Sequence, residues 1–118
     1  MGTIYHDAQE IYTLKSELNA LTISVEIGDK QIGGYFIFND TNLVGANNSA
    51  EIYKGADCFG NWITVVAVIK DQRNETNWTS VSIIFKELGE KMIVLGPYNR
   101  EADNHSDTIV YTIKIKVN

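Results

Sequence analysis

The chain has 118 residues, the length of one domain, and its 44% hydrophobic and 21% charged residues are typical of a folded rather than a disordered protein. The net charge is −5 and the ten Lys and Arg residues are scattered, which argues against nucleic acid as a partner because phosphate backbones require basic patches. No apolar run approaches the roughly 20 residues that span a membrane, and the single Cys58 excludes an internal disulfide.

The N-terminal residues 1–18 fit two local structures. The spacing of Ile11, Leu14 and Leu18 favours a short helix, but the same segment also fits an irregular first strand. Charged residues interrupt it throughout and leave no apolar stretch for a secretory signal. We therefore expect a cytoplasmic protein or a mature domain whose leader has been removed.

Alternation of apolar and polar side chains predicts the strands, because successive residues of a strand point to opposite faces of the sheet. Leu21, Ile23, Val25 and Ile27 alternate with polar residues, and the last segment repeats the pattern. The predicted strands cover residues 21–27, 32–38, 51–54, 62–69, 78–87, 92–97 and 108–117.

Turn residues between these segments indicate the connections. The polar stretch 71–77 predicts a long hairpin, and Gly96 and Pro97 are expected to end or bend the strand that contains them. Segment 62–69 is apolar at nearly every position, as in a central strand covered on both faces. The sequence thus predicts a single all-β domain over 1–118, an antiparallel β-sandwich of six to eight strands, with or without one short N-terminal helix.

Signatures of catalysis are missing from the sequence. His6 and His105 have no zinc-type spacing with Cys58, and there is no glycine-rich phosphate loop or nucleophile elbow. We therefore expect a protein without enzymatic activity.

Strand parity places two polar loops at one end of the sandwich. Consecutive antiparallel strands reverse direction, so the loops 71–77 and 98–107, which are separated by two strands, emerge together. Their polar residues make this end acidic: Asp71, Asn74, Glu75, Asn77, Glu101, Asp103, Asn104 and Asp107. If residues 51–54 form a strand, the same counting adds Asp40, Asn47 and Asn48.

These residues suggest a site for a polar ligand. Calcium takes six to eight oxygen ligands, and Asp71, Asp103 and Asp107 are the expected metal ligands. Trp78 and Tyr98 border the loops, and aromatic rings beside amides and carboxylates suit a carbohydrate. The predicted ligand-binding residues are Asn74, Glu75, Asn77, Trp78, Tyr98, Asp103 and Asn104.

Two functions are compatible with the sequence. One is a recognition domain that binds a polar ligand, such as a carbohydrate with calcium, at the loop end. The other is an assembly module whose sheet face or edge binds a partner protein or a second copy of the chain, because Trp62, Val66 and Val68 form an apolar face too large for a monomer to expose comfortably. An uncovered apolar sheet face favours assembly, whereas a concave polar loop end favours ligand binding.

Overall fold

The computed structural model describes residues 2–29, 31–71, 76–104 and 106–118. Within these ranges the chain forms nine strands and one short 3₁₀ helix, and no helix there is long and apolar enough to cross a membrane. The strands are β1 (Thr3–Tyr12), β2 (Leu21–Ile27), β3 (Ile32–Asn39), β4 (Asn42–Ala46), β5 (Ala50–Ile52), β6 (Trp62–Lys70), β7 (Trp78–Glu87), β8 (Ile93–Glu101) and β9 (Thr108–Val117), and the 3₁₀ helix is Gly55–Asp57. The predicted all-β sandwich is confirmed, with one strand more than expected.

The strands form two sheets that pack face to face. The larger sheet has the order β1-β9-β6-β3-β4, and the smaller has the order β5-β2-β7-β8. All neighbouring strands are antiparallel except β1 and β9, which are parallel over ten residue pairs. We refer to them as the five-stranded and the four-stranded sheet.

The core lies between the sheets and follows from the alternation in the sequence. On β6, β7 and β9 every second side chain points inward and is fully buried, while its neighbours point outward. The inward residues on these strands include Ile63, Val65, Ala67, Ile69, Val81, Ile83, Phe85, Ile109, Tyr111, Ile113, Ile115 and Val117.

The expectation of a short N-terminal helix is wrong. Residues 3–12 form the edge strand β1, and Ile11 and Leu18, which suggested a helical stripe, are largely exposed. Pairing with β9, about a hundred residues away in sequence, stabilises the strand. Such a long-range ladder overrides the weak local helical pattern.

The connection over residues 71–77 is not a hairpin. Strands β6 and β7, which flank it, belong to different sheets, so the chain crosses the sandwich there. The following pair, β7 and β8, does form a hairpin. Polar turn residues predict that the chain reverses, but they do not indicate which sheet it joins next.

Strand β8 does not end at Gly96 and Pro97. It continues to Glu101, and its pairing with β7 shifts by one residue between Val81 and Ile83. Proline lacks a backbone donor, which is tolerated because β8 is an edge strand.

A buried carboxylate fixes the loop that follows β1. Glu87 is fully buried and accepts hydrogen bonds from the Tyr12 hydroxyl at 2.6 Å, from the backbone amides of Lys15 at 2.9 Å and Ser16 at 3.2 Å, and from the Asn19 side chain at 3.1 Å. Burial acts to raise the pKa of Glu87, but these hydrogen bonds outweigh burial and hold the pKa below its usual value. Burial, together with the bond to Glu87, raises the pKa of Tyr12.

Candidate functional site

The two predicted loops lie at the same end of the sandwich. The Asp71 amide donates to the Asp107 carbonyl at 2.9 Å, and the Ser106 amide donates to the Asp71 carbonyl at 3.0 Å. The Ala102 amide donates to the carbonyl of the half-buried Asn77 at 2.7 Å. We call this region, residues 71, 76–78 and 101–107 without the undescribed position 105, the loop end.

Two of the predicted metal ligands are buried in the loop end. Asp107 accepts from the backbone amides of Gly2 and Asn104, both at 2.8 Å, and these hydrogen bonds lower its pKa. Asp71 is fully buried and its Oδ1 accepts from the Gln31 side chain at 2.9 Å, while its Oδ2 accepts no hydrogen bond from the described part of the chain. Both carboxylates therefore help to hold the loops together.

The third predicted metal ligand, Asp103, is exposed. In the ranges that the structure describes, no three carboxylate, imidazole or thiolate groups lie where they could share a metal ion. Calcium binding at Asp71, Asp103 and Asp107 therefore stays a prediction.

A shallow polar groove lies beside the loop end. Its volume is about 340 Å³, and it is lined by Trp78, Asn99, Arg100, Glu101 and Asp103. The groove brings together two residues of the predicted ligand-binding set, Trp78 and Asp103, and adds the cation of Arg100. Asn99 and Arg100 belong to the predicted loop 98–107, but they were not among the predicted ligand-binding residues.

Other predicted residues lie elsewhere. Tyr98 lies within β8, where its hydroxyl donates to Glu10 of β1 at 2.9 Å; burial, followed by this contact, raises its pKa. Asp40 lies at the opposite end of the sandwich, where its amide donates to the Trp62 carbonyl, so the counting that placed it at the loop end is wrong. The exposed Asn104 contributes its backbone amide to the Asp107 carboxylate. Asn74 and Glu75 lie outside the described residues.

The outer face of the five-stranded sheet carries exposed apolar side chains in adjacent rows. Phe36 of β3 pairs with Val66 of β6, and Val68 pairs with Val110 of β9, which in turn pairs with Tyr5 of β1. The apolar and aromatic residues of this face include Tyr5, Ile11, Phe36, Phe38, Leu43, Trp62, Val66, Val68 and Val110. The expectation that β6 is covered on both faces is wrong for the single chain, because Trp62 and Val68 are 38% and 39% exposed.

The outer face of the four-stranded sheet has a different chemistry. Its central strands present mainly polar side chains, among them Thr22, Ser24, Ser80 and Ser82, with Trp78 and Ile84 as apolar exceptions. The Thr22 hydroxyl donates to Glu51 at 3.0 Å. The two faces of the sandwich therefore differ in polarity, and the apolar one meets the condition that favours assembly.

The edge of β1 is the other open surface of the five-stranded sheet. No described strand pairs with its outer side, and its register with β9 is unbroken over all ten residues. Its sequence contains no Pro, Lys or Arg, and the charged side chains that it does carry are those of Asp7 and Glu10. The other three edge strands are short or interrupted: β5 has three residues, whereas β4 and β8 carry register shifts.

Comparison with protein-family models, with curated proteins and with solved structures finds no significant match to this chain. The function proposed below is therefore inferred from the geometry of the molecule.

Proposed function

We propose that this chain is a non-catalytic assembly module in which two copies pair along the free edges of their β1 strands. The observation that carries the proposal is the exposure of Tyr5 and Ile11, which are 71% and 64% accessible on a ten-residue edge strand that contains no Pro, Lys or Arg. An exposed edge presents unpaired backbone groups that serve as a template for another strand.

A two-fold axis perpendicular to the sheet makes two β1 strands antiparallel, and one register matches them well. With Ala8 opposite Ala8 of the second copy, Tyr5 lies opposite Ile11 and His6 lies opposite Glu10. Aromatic–aliphatic pairs and pairs of a carboxylate with a donor each stabilise neighbouring strands. The full set of opposed residues is Ile4 with Tyr12, Tyr5 with Ile11, His6 with Glu10, Asp7 with Gln9, and Ala8 with itself.

Neighbouring registers are less favourable. A shift by two residues in one direction places Asp7 opposite Asp7, and the opposite shift places Asp7 opposite Ile11. A shift by one residue reverses the face to which every side chain points. The sequence of β1 therefore favours a single closed dimer over a set of slipped pairings.

The pairing extends the five-stranded sheet sideways and leaves the outer face of that sheet uncovered. Two five-stranded sheets become one continuous sheet of ten strands, and the exposed apolar rows of the two copies become neighbours. Side chains on the edge, led by Tyr5 and Ile11, lose much of their exposure.

Substitutions at Gln9 test the register, because Gln9 is exposed and opposes Asp7 of the second copy twice in the dimer. We expect Gln9→Lys to tighten the dimer and Gln9→Glu to weaken it, each by about fivefold, from about 0.5 kcal/mol for each of the two charge pairs. Sedimentation equilibrium measures the dissociation constant. Glu26→Gln serves as the control, because it changes the net charge as Gln9→Lys does but lies on the four-stranded sheet. It should leave the dissociation constant of the dimer unchanged.

Two outcomes would overturn the proposal. One is a wild-type chain that stays monomeric at the highest soluble concentration. The other is a shift of the dissociation constant in the same direction for Gln9→Lys and Gln9→Glu, which a charge pair with Asp7 does not allow.

A second candidate function is recognition of a polar ligand at the loop end. The groove beside Trp78 and Asp103 favours it, because an aromatic ring there lies beside an amide, a guanidinium and carboxylates. The fluorescence of Trp78 reports on this groove in the experiment described below.

A further inference from the structure

We infer that the groove beside Trp62, on the outer face of the five-stranded sheet, binds a neutral carbohydrate. The groove has a volume of about 680 Å³, enough for a short oligosaccharide, and lies at the opposite end of the sandwich from the loop end. It is lined by Gln9, Asp40, Thr41, Trp62, Thr64 and Lys114. This inference is independent of the dimer.

The carboxylate in the groove is held in place by the aromatic residue beside it. The Trp62 amide donates to Asp40 Oδ1 at 2.9 Å, and the Asp40 amide donates to the Trp62 carbonyl at 2.8 Å. Asp40 has a φ of 52°, in the left-handed region that non-glycine residues seldom adopt. Asp40 lies in the tight turn between β3 and β4, where Asp readily adopts this conformation, and the two hydrogen bonds hold it beside Trp62.

The Trp62 ring stands between two depressions of the surface. The Lys116 ammonium lies 5.6 Å from the ring centroid and donates to the Gly60 carbonyl. Lys116 lines the neighbouring depression, together with Ile11, but does not line the groove. We infer that the cation occupies one face of the ring and that the other face is open toward the groove.

The lining chemistry matches a sugar better than it matches other small ligands. A pyranose presents an apolar face of C–H groups, which stacks on an aromatic ring, and hydroxyls that both donate and accept hydrogen bonds. Trp62 supplies the ring, Asp40 accepts, Lys114 donates, and Gln9 and Thr64 do both. A purely anionic ligand would meet the Asp40 carboxylate, and a purely apolar one would leave these polar groups unpaired.

Pairing along β1 leaves the groove open at the sheet face, although Gln9 both lines the groove and lies opposite Asp7 of the second copy. The opposed strands extend the sheet sideways, whereas the groove opens outward from its face. A dimer therefore carries two grooves on one continuous surface, which allows bivalent binding to a repeating polysaccharide.

The two tryptophans provide separate reporters of the two grooves. Trp78→Phe leaves Trp62 as the only tryptophan, and Trp62→Phe leaves only Trp78. Each variant is titrated with millimolar cellohexaose, chitohexaose, laminarihexaose and mannohexaose while fluorescence is recorded. We expect a saturable change for at least one of these sugars in Trp78→Phe and no change in Trp62→Phe.

Affinity measurements on two further variants test the hydrogen-bonding part of the site. In the Trp78→Phe background, Asp40→Asn keeps an acceptor for the Trp62 amide but loses the charged acceptor, and Thr64→Val keeps the strand but loses the hydroxyl. Each is expected to weaken binding about tenfold, equivalent to about 1.4 kcal/mol. A fluorescence change of Trp78 alone would place sugar binding at the loop end. No change of either tryptophan with any of the four sugars would mean that neither groove binds them. Either result overturns the inference.

Discussion

Replacing Glu87 with alanine is expected to lower the free energy of unfolding by about 3–5 kcal/mol, the largest loss that we expect from one substitution. The variant leaves the Tyr12 hydroxyl and the backbone amides of Lys15 and Ser16 without their acceptor, and it opens a cavity at a fully buried position. Denaturant unfolding followed by tryptophan fluorescence measures the loss. Glu51→Ala, which removes an exposed carboxylate from the same sheet, is the control, with an expected loss below about 1 kcal/mol.

The pH dependence of stability separates the charge of Glu87 from its packing. Its pKa is lower in the folded protein than in the unfolded chain, so the folded state binds the proton more weakly. The stabilisation is therefore complete above the ordinary glutamate pKa of about 4.3, and it is lost as pH falls through the lowered pKa of the folded state. The stability of Glu87→Gln lacks this pH dependence. The difference in the free energy of unfolding between wild type and Glu87→Gln should therefore decrease in acid. An equal deficit at neutral pH and at pH 3 would show that the charge of Glu87 does not contribute.

Removing the exposed tyrosine of the edge strand is expected to weaken the dimer about 30-fold. Tyr5→Ser abolishes two Tyr5–Ile11 pairs for each dimer, at about 1 kcal/mol for each pair. Because Tyr5 is largely exposed in the single chain, the stability of the monomer should change little. Sedimentation equilibrium and denaturant unfolding at low protein concentration measure the two quantities separately.

A substitution elsewhere on the same face provides the matched control for Tyr5→Ser. Leu43 is also exposed but lies on β4, at the other edge of the five-stranded sheet. Leu43→Ser should leave the dissociation constant unchanged. If Leu43→Ser weakens association as much as Tyr5→Ser does, the copies meet through their faces and not through β1.

The alternation of apolar and polar residues made most of the strands predictable. It did not reveal β1, because that strand depends on pairing with a distant part of the chain. The segments at 21–27 and 108–117 show their buried faces directly in the sequence, and the structure has strands at both. The strand character of β1 depends on β9, which lies at the other end of the chain. Local spacing around Ile11 indicated a helix because no nearby residue carries information about that partner.

The candidate surfaces were predictable only in part. The outward apolar residues of β6, including Val66 and Val68, could be read from a strand that is apolar on both sides. The groove at Trp62 could not be predicted from the sequence, because Gln9, Asp40 and Lys114 come from three distant parts of the chain. Strand parity brought the two loops correctly to one end, but it did not reveal that Asp71 and Asp107 are buried there.

Disulfide trapping between two variants, each with one added cysteine on β1, tests the β1 dimer most directly. Asp7 and Gln9 are exposed, and opposed Cα atoms in an antiparallel pair lie about 4.5–5.5 Å apart, within reach of a disulfide. The distance between like positions, such as Asp7 and Asp7, is about 8 Å in this register, which is too long for a disulfide. The native Cys58 does not compete, because it is fully buried and burial raises its pKa to about 11.

We expect Asp7→Cys and Gln9→Cys to remain uncrosslinked when each is oxidised alone, and to form a covalent heterodimer when they are mixed. Non-reducing electrophoresis with mass spectrometry of the linked peptides identifies the product. No heterodimer in the mixture, or equally strong crosslinking in the separate samples, would contradict pairing along β1 in the proposed register.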